Sequence, residues 1–149
     1  MTGFRVVRVS SPAGELLEPD WLPRAESVHR QLRPDLEADY PAQMRRILAG
    51  GGEMAVVADG DVVRCVTVFR SFENTHLGTR FYVDDLVTDE AARSTGAGAT
   101  MLRWLEDEAR ARGCGSIDLE SGVQRAGAHR FYFREGFSIP SYSFRKPIR

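Results

Sequence analysis

Phe81-Tyr82-Val83-Asp84-Asp85-Leu86-Val87-Thr88-Asp89-Glu90-Ala91-Ala92-Arg93-Ser94-Thr95-Gly96-Ala97-Gly98-Ala99-Thr100-Met101-Leu102 is the stretch whose reading decides the fold. Phe81 to Thr88 is rich in aromatic and β-branched residues and reads as a strand. From Ala97 onward the pattern is helical: Met101, Leu105 and Ala109 recur every four residues with Leu102 beside them, and Arg103, Glu106, Asp107 and Arg110 take the other side. Between the two lies a glycine-rich turn, Arg93-x-x-Gly96-x-Gly98. A helix N-terminus leaves backbone N–H groups unpaired and carries partial positive charge. Gly96 and Gly98 lack Cβ atoms, so a pyrophosphate can approach those donors closely. Arg93 adds a charge-assisted donor just upstream.

Outward from this stretch, Ser116 to Ser121 supplies a second strand and so completes a parallel βαβ step. Arg110 and Arg112 suit the C-terminus of the intervening helix, and Gly113 suits the residue after it. Upstream, Met54 to Ala58 and Asp61 to Phe69 flank Asp59-Gly60, a strong hairpin signal. Phe4 to Val9 reads as an opening strand. Helices are predicted over 20–33, with Asp20 as a candidate cap, and over 39–48, separated by Pro34 and closed by Gly50-Gly51-Gly52. Downstream, Gln124 to Glu135 is helical and Gly136 ends it. Ser141-Tyr142-Ser143-Phe144-Arg145 alternates as an edge strand does. The expectation is one α/β (α+β) domain over residues 1–149, with a mixed, largely antiparallel sheet flanked by about four helices.

Composition excludes several functions. Lys and Arg (20) nearly match Asp and Glu (21), so the net charge of -1 carries no footprint of a nucleic-acid binder. With 42% hydrophobic and 28% charged residues the chain is an ordinary globular one. Cys65 and Cys114 form no disulfide framework, which favours a reducing compartment. The first residues lack the apolar core of a signal peptide, and no apolar run suits a membrane span. The sequence therefore reads as soluble and cytoplasmic, with no membrane partner.

Two other phosphate motifs fit the turn poorly. A P-loop needs Lys after its glycines, and none is there. A dinucleotide fingerprint needs a third glycine where Met101 stands, although Asp118 lies about the right distance downstream for a ribose contact.

Tyr82 to Gly98 resembles the coenzyme motif of the GNAT superfamily of acetyl-CoA-dependent N-acetyltransferases, an apolar strand leading into Arg/Gln-x-x-Gly-x-Gly/Ala. Ala128-His129-Arg130-Phe131-Tyr132-Phe133-Arg134-Glu135-Gly136-Phe137 is similar to that family's second signature, Ala-x-x-Phe-Tyr-x-x-x-Gly-Phe. The resemblance implies two parallel central strands that splay apart near Val87 and Ser121. Acetyl-CoA would lay its pantetheine in that gap, against the backbone of Leu86 and Val87. Its pyrophosphate would rest on the amides of Arg93, Ser94, Thr95, Gly96, Ala97, Gly98 and Ala99. Ser94 stands where the family commonly has glycine, and Arg125 where it often has asparagine for a coenzyme contact. Tyr132 matches the family's general-acid tyrosine, and a plain core aromatic is the competing reading.

Amide formation from a thioester also needs a base. Asp84 and Asp85 are unusual inside an apolar strand. As strand neighbours they are expected on opposite faces, and burial would raise the pKa of a carboxylate there. Glu120, near the end of the next strand, is the third candidate. The resemblance favours Asp84. His129 and Cys114 read as packing or surface residues, and His29 and His76 have no partner at ligand spacing, so no metal site is expected. The activity expected is transfer of an acetyl group to a primary amine of a small molecule or peptide, in a ternary complex. Competing readings are a non-catalytic acyl-CoA-binding domain of the same fold and a nucleotide-binding domain. Glu26, His29, Arg33 and Asp35 are candidates to line the acceptor site. Nothing in the sequence fixes the oligomeric state, which leaves a homodimer open.

Overall fold

The computed structural model describes residues 3–149. They fall into two compact units, the first running to Asp118 and the second from Leu119 to Arg149. The elements are β1 (Phe4–Arg8), α1 (Trp21–Leu32), α2 (Tyr40–Ala49), β2 (Glu53–Asp59), β3 (Val62–Asn74), β4 (Gly78–Thr88), α3 (Ala97–Ala111), β5 (Ile117–Leu119) and α4 (Ala126–Arg134). The strands form one mixed sheet in the order β1-β2-β3-β4-β5. The first three pairings are antiparallel.

The first unit is built around this sheet. The Asp59-Gly60 signal makes the β2–β3 hairpin, with Gly60 at φ +60°. The β3–β4 hairpin runs further than Phe69 and Phe81 suggest, because Asn74 Oδ1 accepts from the Leu77 amide at 2.8 Å and Gly78 turns at φ +71°. On one face α1 and α2 bury Leu22, Ala25, Val28, Tyr40, Met44 and Leu48 against Val9, Val56, Val66 and Val68. Burying a side chain of this size is worth about 1.5–3 kcal/mol, so these contacts dominate the attachment of both helices. Asp39 caps α2 by accepting from the Ala42 amide at 3.1 Å. Asp20 occupies the N-cap of α1, but its side chain makes no capping bond.

The other face is covered by α3, whose Met101, Leu102, Leu105 and Ala109 are buried as their spacing requires. Phe69 stacks on Phe81 at 5.2 Å and meets the edge of Trp104 at 5.7 Å. Arg112, near the end of α3, grips the buried Glu53 through two nitrogens at 2.5 and 2.8 Å. β5 is only three residues long, and Asp118 pairs with Arg80 in the first half of β4 at 3.1 Å.

In the second unit α4 ends at Arg134, and Gly136, just past the C-cap residue Glu135, takes φ +92°. The Tyr132 ring packs edge-on against Phe131 at 5.6 Å and Phe137 at 5.3 Å. The edge strand expected at Ser141–Arg145 does not form: residues 142–149 are irregular, with Tyr142 84% and Phe144 94% exposed. Alternation supplies the two faces of a strand but not the hydrogen-bonding neighbour it needs. Among the described residues no helix is long and apolar enough to cross a membrane.

Candidate functional site

The site begins with an irregularity in β4. Val68 faces Asp85 and Phe69 faces Val83, so Asp84 is an extra residue with no partner on β3. An inserted residue of this kind breaks the alternation of side chains. Asp84 consequently reaches Arg70, whose Nε and Nη2 lie 2.9 and 2.5 Å from Oδ2. Arg70 lies two residues beyond Val68, on the face of β3 covered by α1 and α2. Asp85 reaches His29 of α1. The expectation that the two acids point to opposite faces is therefore corrected: the bulge brings both to the α1–α2 face.

Asp85 is the centre of a polar row. His29 Nε2 lies 2.7 Å from its Oδ2, and Arg33 Nε donates to Oδ1 at 2.8 Å. His29 Nδ1 lies 2.8 Å from the Tyr40 hydroxyl. His29 and Tyr40 are both fully buried. Burial alone would raise the Asp85 carboxyl, as the sequence suggests, but the hydrogen bond and charge of His29 and then Arg33 outweigh it. The carboxyl is held below its ordinary value. Each of its oxygens has a cationic or N–H partner. Tyr40 moves the other way: burial first, then the charges of Glu26 and Asp85, push its phenol well above the usual range. Sequence reasoning did not single out Tyr40, and it gave His29 no partner at ligand spacing while naming it as a candidate to line the acceptor site. The ten residues between them are closed up by the α1–α2 turn.

The glycine-rich turn follows β4. Asp89 caps a short 3-10 turn, Glu90–Ala92, and the chain is extended at Arg93 (φ -61°, ψ 144°). Ser94 is the one non-glycine described at positive φ (+65°), and Gly96 follows at +94°. Ser94 carries strain there of about 1–2 kcal/mol. Gly96 is the N-cap of α3 and no side chain caps that end. The first helical hydrogen bond runs from the Thr100 amide to the Gly96 carbonyl at 2.9 Å. The amides of Ala97, Gly98 and Ala99 therefore precede the ladder and stand at the positive end of the α3 dipole. Arg93 is exposed beside them.

Leu86 and Val87 are half-buried and face Thr67 and Val66 of β3. A cleft of about 330 Å³ at the α1–α2 turn is lined by Leu32, Arg33, Pro34, Asp35, Leu36 and Gln43. It contains Arg33 and Asp35 of the expected acceptor residues, but neither Glu26 nor the buried His29. Thus Asp84, Asp85, Leu86, Val87 and the turn from Arg93 to Ala99 all belong to the first unit. Glu120 and Tyr132 belong to the second, where the exposed Glu120 accepts from the Ser143 hydroxyl at 3.1 Å.

The sequence model of the acetyltransferase (GNAT) family matches residues 15–137. The chain belongs to the GNAT acetyltransferase family. Among its relatives is the uncharacterized N-acetyltransferase YhdJ of Bacillus subtilis, 47% identical over 74 residues, or 49% of this chain and 52% of that protein. Another is the aminoalkylphosphonate N-acetyltransferase of Salmonella typhimurium, 31% identical over 90 residues, 60% of this chain and 58% of that protein. The GNAT chain thus matches little more than half the length of either relative. In fold it is similar to the aminoglycoside N-acetyltransferase AAC(6')-Iy, solved in complex with CoA. The TM-score is 0.84 at 10% identity, over 100% of this chain and 97% of that one.

Proposed function

We propose that this GNAT protein is an acetyl-CoA-dependent N-acetyltransferase acting on a primary amine of a small molecule or peptide. The observation that carries the reading is the uncapped start of α3. Three unladdered amides, a left-handed Gly96 and an exposed Arg93 form a cradle suited to a pyrophosphate. The Ser94 amide and the backbone at Leu86 and Val87 extend it along the coenzyme, as the family motif implies, whereas the Thr95 amide already donates to the Ala92 carbonyl at 3.3 Å. Acetyl-CoA, as cosubstrate, supplies the thioester whose acyl group is transferred. The name of one relative, an aminoalkylphosphonate N-acetyltransferase, supports a small amine-bearing acceptor.

Asp84 is the proposed base. Among the described residues its Oδ1 is engaged by Arg70 Nε at 3.2 Å, and it keeps acceptor capacity for an ammonium proton. Asp85 has both oxygens engaged by α1, which favours a supporting role. Backbone N–H groups near Leu86 and Val87 are proposed to hold the thioester oxygen, and the Tyr132 hydroxyl to protonate the departing thiolate. Glu120 remains an alternative candidate for the base. The test is thiol release from acetyl-CoA across a panel of aminoalkylphosphonates, aminoglycosides, amino acids and peptides. Amine-dependent release is expected. Tight CoA binding with no release for any amine would instead make the protein a coenzyme-binding domain.

A further inference from the structure

The last turn of α1 carries His29 and Gln31, Arg33 is its C-cap residue, and all three side chains reach β4 or the loop that leaves it. His29 and Arg33, four residues apart, hold Asp85. Gln31 is exposed and reaches further along, using both ends of its amide. Its Nε2 donates to Asp89 Oδ1 at 3.1 Å, and its Oε1 accepts from the Glu90 amide at 2.9 Å. Asp89 is held from other sides as well. Its carboxylate accepts from the Ala91 amide at 3.2 Å and from Arg64 Nη1 at 3.4 Å, and its own amide donates to the Arg64 carbonyl at 2.8 Å. Four residues after Asp89 the chain reaches Arg93 and the uncapped start of α3. The hydrogen bond from Gln31 is the largest influence holding the Asp89 carboxyl below its ordinary value, so the contact favours the ionised form.

We propose that Gln31 is a positioning residue for the coenzyme turn: its side chain ties the end of α1 to Asp89 and Glu90 and so sets where the amides from Arg93 to Ala99 stand. This rests on the reading that those amides receive the phosphates of CoA. Since His29 and Arg33 hold Asp85 from the same helical turn, the acid-bearing bulge and the coenzyme turn share one support. Binding of CoA and the order of the α1 end are then linked, and each strengthens the other.

The test uses the whole chain and CoA itself as probe, with affinity measured by calorimetry and the melting temperature of the ligand-free protein beside it. Gln31→Met keeps the length of the side chain and its helix propensity but removes both hydrogen bonds. Gln31→Glu keeps the acceptor for the Glu90 amide and sets a second carboxylate against Asp89. Gln31→Met is expected to weaken CoA binding about 3- to 10-fold, the scale of one or two lost hydrogen bonds. Gln31→Glu is expected to weaken it at least as much, more at low ionic strength. Because Gln31 is exposed, both variants are expected to melt within about 2 °C of the parent. Parental CoA affinity in both variants overturns the proposal, and so does a lowered melting temperature with unchanged affinity. Failure of the parent protein to bind CoA would overturn the underlying reading of the turn instead.

Discussion

Asp85→Asn separates a carboxylate that holds the structure from one that moves protons. The asparagine oxygen can accept from His29 or from Arg33, but not from both. Its NH2 then faces the donor left over. The His29 arm is buried, with 1% of the histidine and 14% of the Asp85 side chain exposed, so a charged hydrogen bond there is worth about 1.5–3 kcal/mol. Arg33 is 48% exposed, so its arm is discounted to about 0–1 kcal/mol. Since asparagine keeps one acceptor, the expected loss is about 2–3 kcal/mol. At about 3 °C per kcal/mol for a chain of this size, the melting temperature should fall by about 6–9 °C at neutral pH. The sign with pH follows from the direction of the shift. A carboxyl whose folded pKa is depressed contributes stability that is full above its unfolded pKa and is lost as pH falls through the folded one. The gap between parent and variant should therefore begin to narrow near about pH 4 and keep closing as pH falls through the depressed folded value. Circular-dichroism melts at pH 7 and pH 3.5 measure both. A variant that melts with the parent at pH 7 but loses turnover would refute the supporting role and make Asp85 the base.

Asp84→Asn should behave in the opposite way. The pair with Arg70 is partly exposed on both sides (26% and 32%), so melting should change by no more than about 3 °C while turnover falls about 10²–10⁴-fold. Tyr132→Phe should leave CoA affinity near the parental value and lower turnover on the same scale, measured as thiol release at saturating acetyl-CoA. Ser94→Gly should relieve the left-handed strain at φ +65° and, after the entropy glycine adds to the unfolded chain, raise the melting temperature by about 1–4 °C. A drop on that substitution would mean that Ser94 has compensating contacts.

What could be read from the sequence was mostly local. Asp59-Gly60 sets a hairpin by its own backbone preference, and Met101, Leu105 and Ala109 declare the buried face of α3 wherever that helix packs. Gly96 marked a helix start because only the left-handed region suits the chain there. The bulge at Asp84 was not legible, since it is defined by the register with β3 rather than by any residue in β4. The row Tyr40–His29–Asp85–Arg33 was hidden for the same reason, as it joins two helices to a strand far along the chain. Nor could the Gln31 contacts be foreseen, because they depend on where the end of α1 meets the loop after β4. The tail at Ser141–Arg145 shows the converse error, in which a sound local pattern finds no sheet edge to join.

The most direct measurement is the thermal shift produced by CoA on the parent protein and on Gly98→Asp. A ligand bound only by the folded state, present at about 100 times its Kd, adds about 2.7 kcal/mol, or about 8 °C here. Gly98 lies in the first turn of α3 among the amides that precede the helical ladder, and aspartate there sets a side chain and a negative charge against the phosphates. The parent is expected to show the full shift and Gly98→Asp none, while both melt alike without ligand. An equal CoA shift in both proteins, or a shift with ATP or NAD but not with CoA, would contradict the account at its centre.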